Sequence, residues 1–376
     1  MDSQYRWTPP PIPYPDGRAW RNAVVEGRTS LVALALALAS SVAMASETPN
    51  DIRHSMSELK PTIKIHLGKT ADWVAITDDA VWVGTTGPNG VAQIDPRTNA
   101  LSAAVMLPGK PCAGLAVGFG GLWVPLCAKP NALARVDLRT RAVTLVAGVG
   151  PADREGGITA SHDSVWLLID GRATLARIDP ATGRIRQKII VPSGSLNPLY
   201  SEGLIWVTRA ASDGVTVVSA DSGALLGTVP SGPKPRFLAA GAGFVWTLNQ
   251  GDGTLTRINV QARSAAGFTA LHTPGHGGDI KFEHGIVWTS MIKTPLSATD
   301  ARTGKVLCQW TGTGGDSLGV SRDAIWLTDY DAGDVYRFDL NDTLRHCASV
   351  PTPKSAPSTT DQNLTTPSPP HLTPQF

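Results

Sequence analysis

Between residues 73 and 339 the chain alternates short runs of β-forming apolar residues with polar or glycine-rich turns. One such run returns seven times. Its first copy is Ala80-Val81-Trp82-Val83, and the aliphatic–tryptophan pair recurs at Leu122-Trp123, Val165-Trp166, Ile205-Trp206, Val245-Trp246, Val287-Trp288 and Ile325-Trp326. Successive tryptophans lie 38 to 43 residues apart. A repeat near forty residues with a β-type pattern predicts one propeller blade per copy. The chain is thus expected to be all-β, a seven-bladed β-propeller of four-stranded blades over 61–350.

Each copy divides in the same way. An inner strand such as Val74-Ala75-Ile76 or Leu115-Ala116-Val117 leads to a tight turn, then to the strand carrying the tryptophan. The ring of that tryptophan is expected to pack between neighbouring blades, where large apolar area is needed. The third strand ends at a second repeated position: Asp95, Asp137, Asp179, Ser219, Asn259, Asp300 and Asp339. Side chains of this kind bond the backbone a few positions on and nucleate turns, so these residues are read as turn formers rather than metal ligands.

The alternating run Ile63-Lys64-Ile65-His66-Leu67 precedes the first tryptophan at the spacing of an outer strand, yet has no blade of its own. The last blade lacks that strand, so the N-terminal segment is predicted to close the ring. Cys112 and Cys127 sit symmetrically about Gly118-Phe119-Gly120-Gly121, a hairpin register that allows a bridge. Cys308 and Cys347 each lie eight residues past an equivalent aspartate. In outer strands of neighbouring blades they would stand too far apart to join. With the N-terminal strand in the last blade, Cys347 is free to reach Cys308, so ring closure and this bridge are coupled expectations.

The ends read differently. Arg18, Arg21 and Arg28, the apolar run from Leu31 to Ala39 and the ending Ala43-Met44-Ala45 describe a secretory signal over 1–45 with an extended leader, cut after Ala45. An uncleaved anchor is the alternative. Residues 46–60 read as a polar linker, and 351–376 as a disordered tail rich in Pro, Thr and Ser. A periplasmic or secreted protein is expected, with no integral span in the mature chain, and a monomer. Against 33 Lys and Arg stand 31 acidic residues, a balance that gives no case for nucleic acid as a partner.

The unit Val81-Trp82-Val83 with Ile94-Asp95-Pro96-Arg97-Thr98-Asn99 resembles the repeats of bacterial YVTN-type and streptogramin-lyase-like β-propellers. The resemblance implies the scaffold, and for the lyases a magnesium-dependent cleavage that uses histidines at the starts of inner strands and a glutamate just after a repeat tryptophan. Here no copy supplies that glutamate, and Asp329 is the only carboxylate at those positions. The histidine at an inner-strand start is His276, in Pro274-Gly275-His276-Gly277-Gly278.

Loops on one face of a propeller gather around the channel mouth, where ligands usually bind. The residues expected there are Asp72, Lys110, Arg154, Glu155, Arg236, His276, Asp279 and Asp316 from the loops between blades, with Arg209, Asn249, Asp329 and Tyr330 from the other loops. His276 with Asp279 and Asp316 forms the candidate acid–base and metal constellation. Arg154, Arg209, Arg236 and Lys110 form a candidate anion-binding mouth. His162 and His284 fall in turns on the opposite face. Zinc-protease, phosphate-loop and nucleophile-elbow motifs are absent from the sequence.

The leading expectation is an exported binding or interaction module, with a small ligand or an envelope protein at the mouth and no cofactor. The rival is a lyase or lactonase with His276 as acid–base group and a divalent cation such as magnesium or calcium. A structural envelope component held by its tail is the third reading.

Overall fold

A computed structural model describes residues 52–146, 148–171, 173–271 and 277–347. The expected signal at 1–45 and the expected tail at 351–376 lie outside the described residues. Seven antiparallel sheets follow one another along the chain, covering 70–106, 110–146, 158–190, 195–230, 235–270, 279–311 and 318–339. Their inner strands touch in sequence, and the last touches the first, so the sheets form a closed seven-bladed propeller. In blade 2 the inner strand is broken into Lys110–Pro111 and Ala116–Gly118.

The repeat tryptophans act as wedges between blades. Trp82, Trp123, Trp166, Trp206, Trp246, Trp288 and Trp326 are all at most 1% exposed. Each packs with the following blade: Trp82 with Leu122 and Val136, Trp206 with Val245 and Ile258, Trp326 with Val81 and Val83. The hydrophobic core is accordingly a ring of seven junction clusters, not one central mass. Strand pairing sets an arginine directly opposite four of the wedges, Arg135, Arg177, Arg257 and Arg337. Their guanidinium groups lie 5.4–5.9 Å from the indole centroids, within cation–π range.

The repeated turn position behaves as its residue types require. Asp95 Oδ1 accepts from Arg97 N at 2.8 Å, and Asp179 Oδ1 from the amides of Ala181 and Thr182, both at 2.9 Å. Asp137, Ser219, Asn259, Asp300 and Asp339 accept from amides two or three residues on in the same manner. These side chains are occupied by their own turns.

The N-terminal segment closes the ring. Strand β1 is Arg53–Ser55 and strand β2 is Ile63–His66. β2 runs antiparallel to Asp334–Asp339 as the outer strand of blade 7, with Ile63 opposite Arg337. Lys64 Nζ and His66 Nδ1 reach Asp334 at 2.8 and 3.0 Å across that pairing. Burial raises the Asp334 carboxyl, but those hydrogen bonds outweigh it and hold the group below its usual range.

Part of the expected linker is structure. β1 pairs in parallel with Val306–Thr311, giving blade 6 a fifth strand. A helical turn, Met56–Glu58, follows under a Ser55–Glu58 capping box, and Leu59 is buried against blades 6 and 7. The polar composition of 46–60 concealed this, because the segment needs only one edge and two apolar contacts to dock.

After blade 7 a short helix, α1 (Leu340–Arg345), starts at the Asp339 cap and carries Cys347 back to Cys308. The Cys308–Cys347 bridge spans 5.0 Å between Cα atoms, and the Cys112–Cys127 bridge 5.7 Å. Two bridges and no free cysteine among the described residues suit an oxidising compartment. No helix among the described residues is long and apolar enough to cross a membrane.

Two outcomes test this account. Trp206→Ala empties a sealed junction and is expected to cost about 3–5 kcal/mol in urea unfolding, as large aromatic truncations in cores do. Removing the Cys308–Cys347 bridge as the double serine variant is expected to cost about 2–4 kcal/mol, and intact mass before and after reduction will count the bridges.

Candidate functional site: the channel and its mouth

Antiparallel pairing puts the start of each inner strand beside the end of the second strand, so Asp72 lies opposite Gly84 and Asp279 opposite Ser290. The loops that enter the blades and those joining second to third strands therefore share one face. Most of its carboxylates and most of its arginines come from different blades. Asp72, Asp279, Asp316 and Asp329 come from blades 1, 6 and 7, or from the loops that enter them. Arg154, Arg209 and Arg236 come from blades 3 to 5 and their entry loops.

The basic side is largely engaged within the protein. Arg236 Nη2 meets Glu155 Oε2 at 3.1 Å and also donates to the Arg154 and Glu155 carbonyls. Lys110 donates to the Tyr330 hydroxyl at 3.3 Å and lies 5.7 Å from the centre of its ring. Asn249, expected to face a ligand, is fully buried. Its side chain bonds to Thr247, Thr254 and Thr256, so it anchors a turn. Asparagine serves here because its side chain supplies both donor and acceptor. Asp329 Oδ1 accepts from the Ala332 amide, which is again turn chemistry.

The acidic side is held more unusually. Asp72 Oδ1 accepts from Ser317 Oγ and from Trp73 N, both at 2.7 Å. Asp316 Oδ1 accepts from Gly278 N at 2.8 Å. Neither carboxylate has a basic partner among the described residues. Burial, followed by the nearby Asp316 charge, pushes the Asp72 carboxyl well above its ordinary range. Burial chiefly, with Glu155, Asp279 and Asp331 adding repulsion, pushes Asp316 up to about 6.

Two members of the expected metal constellation, Asp279 and Asp316, are among the described residues, and each is already hydrogen-bonded within the protein. Asp279 gives both oxygens to Lys281 Nζ at 2.7 Å and also receives the amides of Ile280 and Leu318. Among the described residues no three His, Cys, Asp or Glu side chains are placed to hold a metal ion. His276 lies outside the described residues. His162 and His284 occupy turns between first and second strands, on the far face.

The sequence pattern left one residue unassigned, and it sits in the channel. Trp73 is the extra residue of a bulge in the inner strand of blade 1, between Asp72 and Val74. Its φ is +56°, left-handed backbone that a bulky side chain occupies at a cost of about 1–3 kcal/mol. The indole meets the Phe237 ring of blade 5 edge-on at 6.1 Å, spanning the channel. Beside it lies a cavity of about 400 Å³, bordered by Trp73, Leu115, Asn197, Phe237, Asp279 and Phe282 among others. Trp73 Nε1 and Asn197 Oδ1 are buried without a hydrogen-bond partner among the described residues. The available signal was a tryptophan outside the period of the seven repeat copies, directly after an aspartate at the start of an inner strand.

No protein-family model matches the chain, and no curated protein matches it in sequence. Among solved structures it is similar to BamB from Moraxella catarrhalis. The TM-score is 0.54 and the identity 12%, over 75% of this chain and 100% of that one. At that identity the likeness speaks for the fold alone, a β-propeller.

The electrostatics of the mouth give a pH signature. Folded, Asp316 keeps its proton up to about pH 6, whereas an unfolded aspartate keeps it only to about 3.9. The folded state binds the extra proton between those values, so this group makes stability fall as pH rises through that window and level off above it. Asp316→Asn keeps an acceptor for Gly278. It is expected to remove that fall and to exceed the parent by about 1–3 kcal/mol near neutrality, read from urea unfolding across the window.

Proposed function

We propose that the protein is an exported binding module that takes a ligand or partner at the mouth of its propeller channel. One observation carries the reading: Asp72 and Asp316 are neighbouring, half-buried carboxylates without basic partners among the described residues, on the face where the loops converge. Such an arrangement costs stability, and proteins retain costly polar placements mainly at functional sites. The strained Trp73 beside them adds to the case.

The resemblance to YVTN-type and streptogramin-lyase-like propellers supports the scaffold and allows either binding or catalysis. Binding is favoured over the lyase or lactonase reading for a local reason. The carboxylate nearest the lyase glutamate position, Asp329, is engaged in a turn, and Asp279 is engaged by Lys281. Export rests on the signal-like leader and on two disulfides, which call for a periplasmic or secreted setting.

Affinity capture from an envelope or culture extract tests the mouth. A specifically retained species is expected to be lost with Asp316→Asn or Tyr330→Ala and kept with His162→Ala on the far face. Retention indifferent to both mouth variants would sink the proposal.

A further inference from the structure

Two charged side chains border the channel cavity, Asp279 and Lys281, and each satisfies the other. Lys281 Nζ donates to both Asp279 oxygens at 2.7 Å. The cavity therefore presents no net charge to a guest. Its other walls are mostly aliphatic and aromatic, with Trp73, Phe237 and Phe282 among them. At about 400 Å³ it has the size of a small-molecule site.

Two polar groups on these walls are buried and have no partner among the described residues. Asn197 is 4% exposed, and its Nδ2 donates to the Arg236 carbonyl. A carbonyl needs a donor opposite it, so the amide orientation is fixed and Oδ1 is left as an unpartnered acceptor. Trp73 is 6% exposed, and its Nε1–H is an unpartnered donor. Wedge indoles such as Trp82 and Trp206 also lack a partner, but those rings are sealed in blade junctions, whereas Trp73 borders the cavity. Both groups flank the same stretch of blade 5. Asn197 is fastened to Arg236, and the Trp73 ring meets the next residue, Phe237, at 6.1 Å. A buried polar group left unpaired destabilises the fold, and a guest that pairs it recovers that loss. A carboxylate guest would set oxygen against Asn197 Oδ1. An ammonium or amidinium has nothing to accept from Trp73, and a purely apolar guest would leave both groups unpaired.

We propose that the channel binds a small uncharged molecule with an amide-like edge and an apolar body. Its carbonyl oxygen accepts from Trp73 Nε1, its N–H donates to Asn197 Oδ1, and its body lies against the aliphatic and aromatic wall. This rests on the channel being a binding site and names the chemistry that the site takes. The edge sets orientation through one donor and one acceptor, and the body contributes by leaving water.

Four probes of nearly one shape decide the matter with the purified full chain: benzamide, acetophenone, benzoate and benzamidinium, compared by calorimetry and ligand-observed NMR near neutral pH. Acetophenone keeps the acceptor of benzamide and replaces its donor with a methyl group. Benzamide is expected to bind about tenfold more tightly than acetophenone, and both ions more weakly than benzamide. Asn197→Leu is expected to bring benzamide down to acetophenone. Trp73→Phe, which keeps a ring and removes the donor, is expected to weaken both by a similar factor, and His162→Ala to change neither. Equal binding of benzamide and acetophenone overturns the paired edge, and tighter binding of either ion overturns the uncharged guest. Failure of all four probes at tens of millimolar overturns the site itself. Asp316 and Tyr330 do not border the cavity, so the capture experiment reports on the mouth separately from this one. If a variant is misfolded by circular dichroism, the wild-type probe series still decides.

Discussion

Everything in this molecule depends on the tryptophan that each blade sets into the next. A single propeller blade is a repeat unit that cannot bury its hydrophobic face alone. A fully buried indole at every junction supplies the apolar area that a blade lacks internally, and it does so seven times around a closed ring. Because the wedge is shared, no blade is independent of its neighbours. The arginines opposite four of the wedges cover the indoles from the third strand and tie the blade's own hairpin to its junction.

A ring of shared junctions has one weak seam, where the chain's two ends meet. The seam is secured three ways. β2 completes blade 7 with Lys64 and His66 on Asp334, β1 extends blade 6, and the Cys308–Cys347 bridge fastens the segment after α1 to blade 6. Rigidity gained here is what allows the mouth to hold groups in unfavourable positions. Asp72, Asp316 and the left-handed Trp73 would relax in a looser scaffold. The proposed binding at the mouth draws on that rigidity, because a rigid ring presents preorganised, incompletely paired groups at little reorganisation cost.

The sequence by itself determined the blade count, the strand order within each blade, the closing strand, the turn role of the aspartate series and the Cys112–Cys127 pairing, and it tied Cys308–Cys347 to how the ring closes. All of these follow from periodicity and from local backbone chemistry, which are written along the chain. It could place Asp279, Asp316, Arg236 and Tyr330 on one face, because strand alternation fixes which loops share an end. Tertiary structure alone decided what those residues do there. It separated the acidic and basic sides of the mouth, buried Asn249 in a threonine cluster, bound Asp279 to Lys281, and carried Trp73 across the channel to Phe237. The Trp73–Phe237 contact joins distant blades through a one-residue bulge, while Asn249 and Asp279 bond residues a few positions away that share a face only once the strands pair. The physical reason is that a pKa, a cavity wall or an unpaired charge belongs to a neighbourhood in space, and a repeat pattern specifies only where each blade begins.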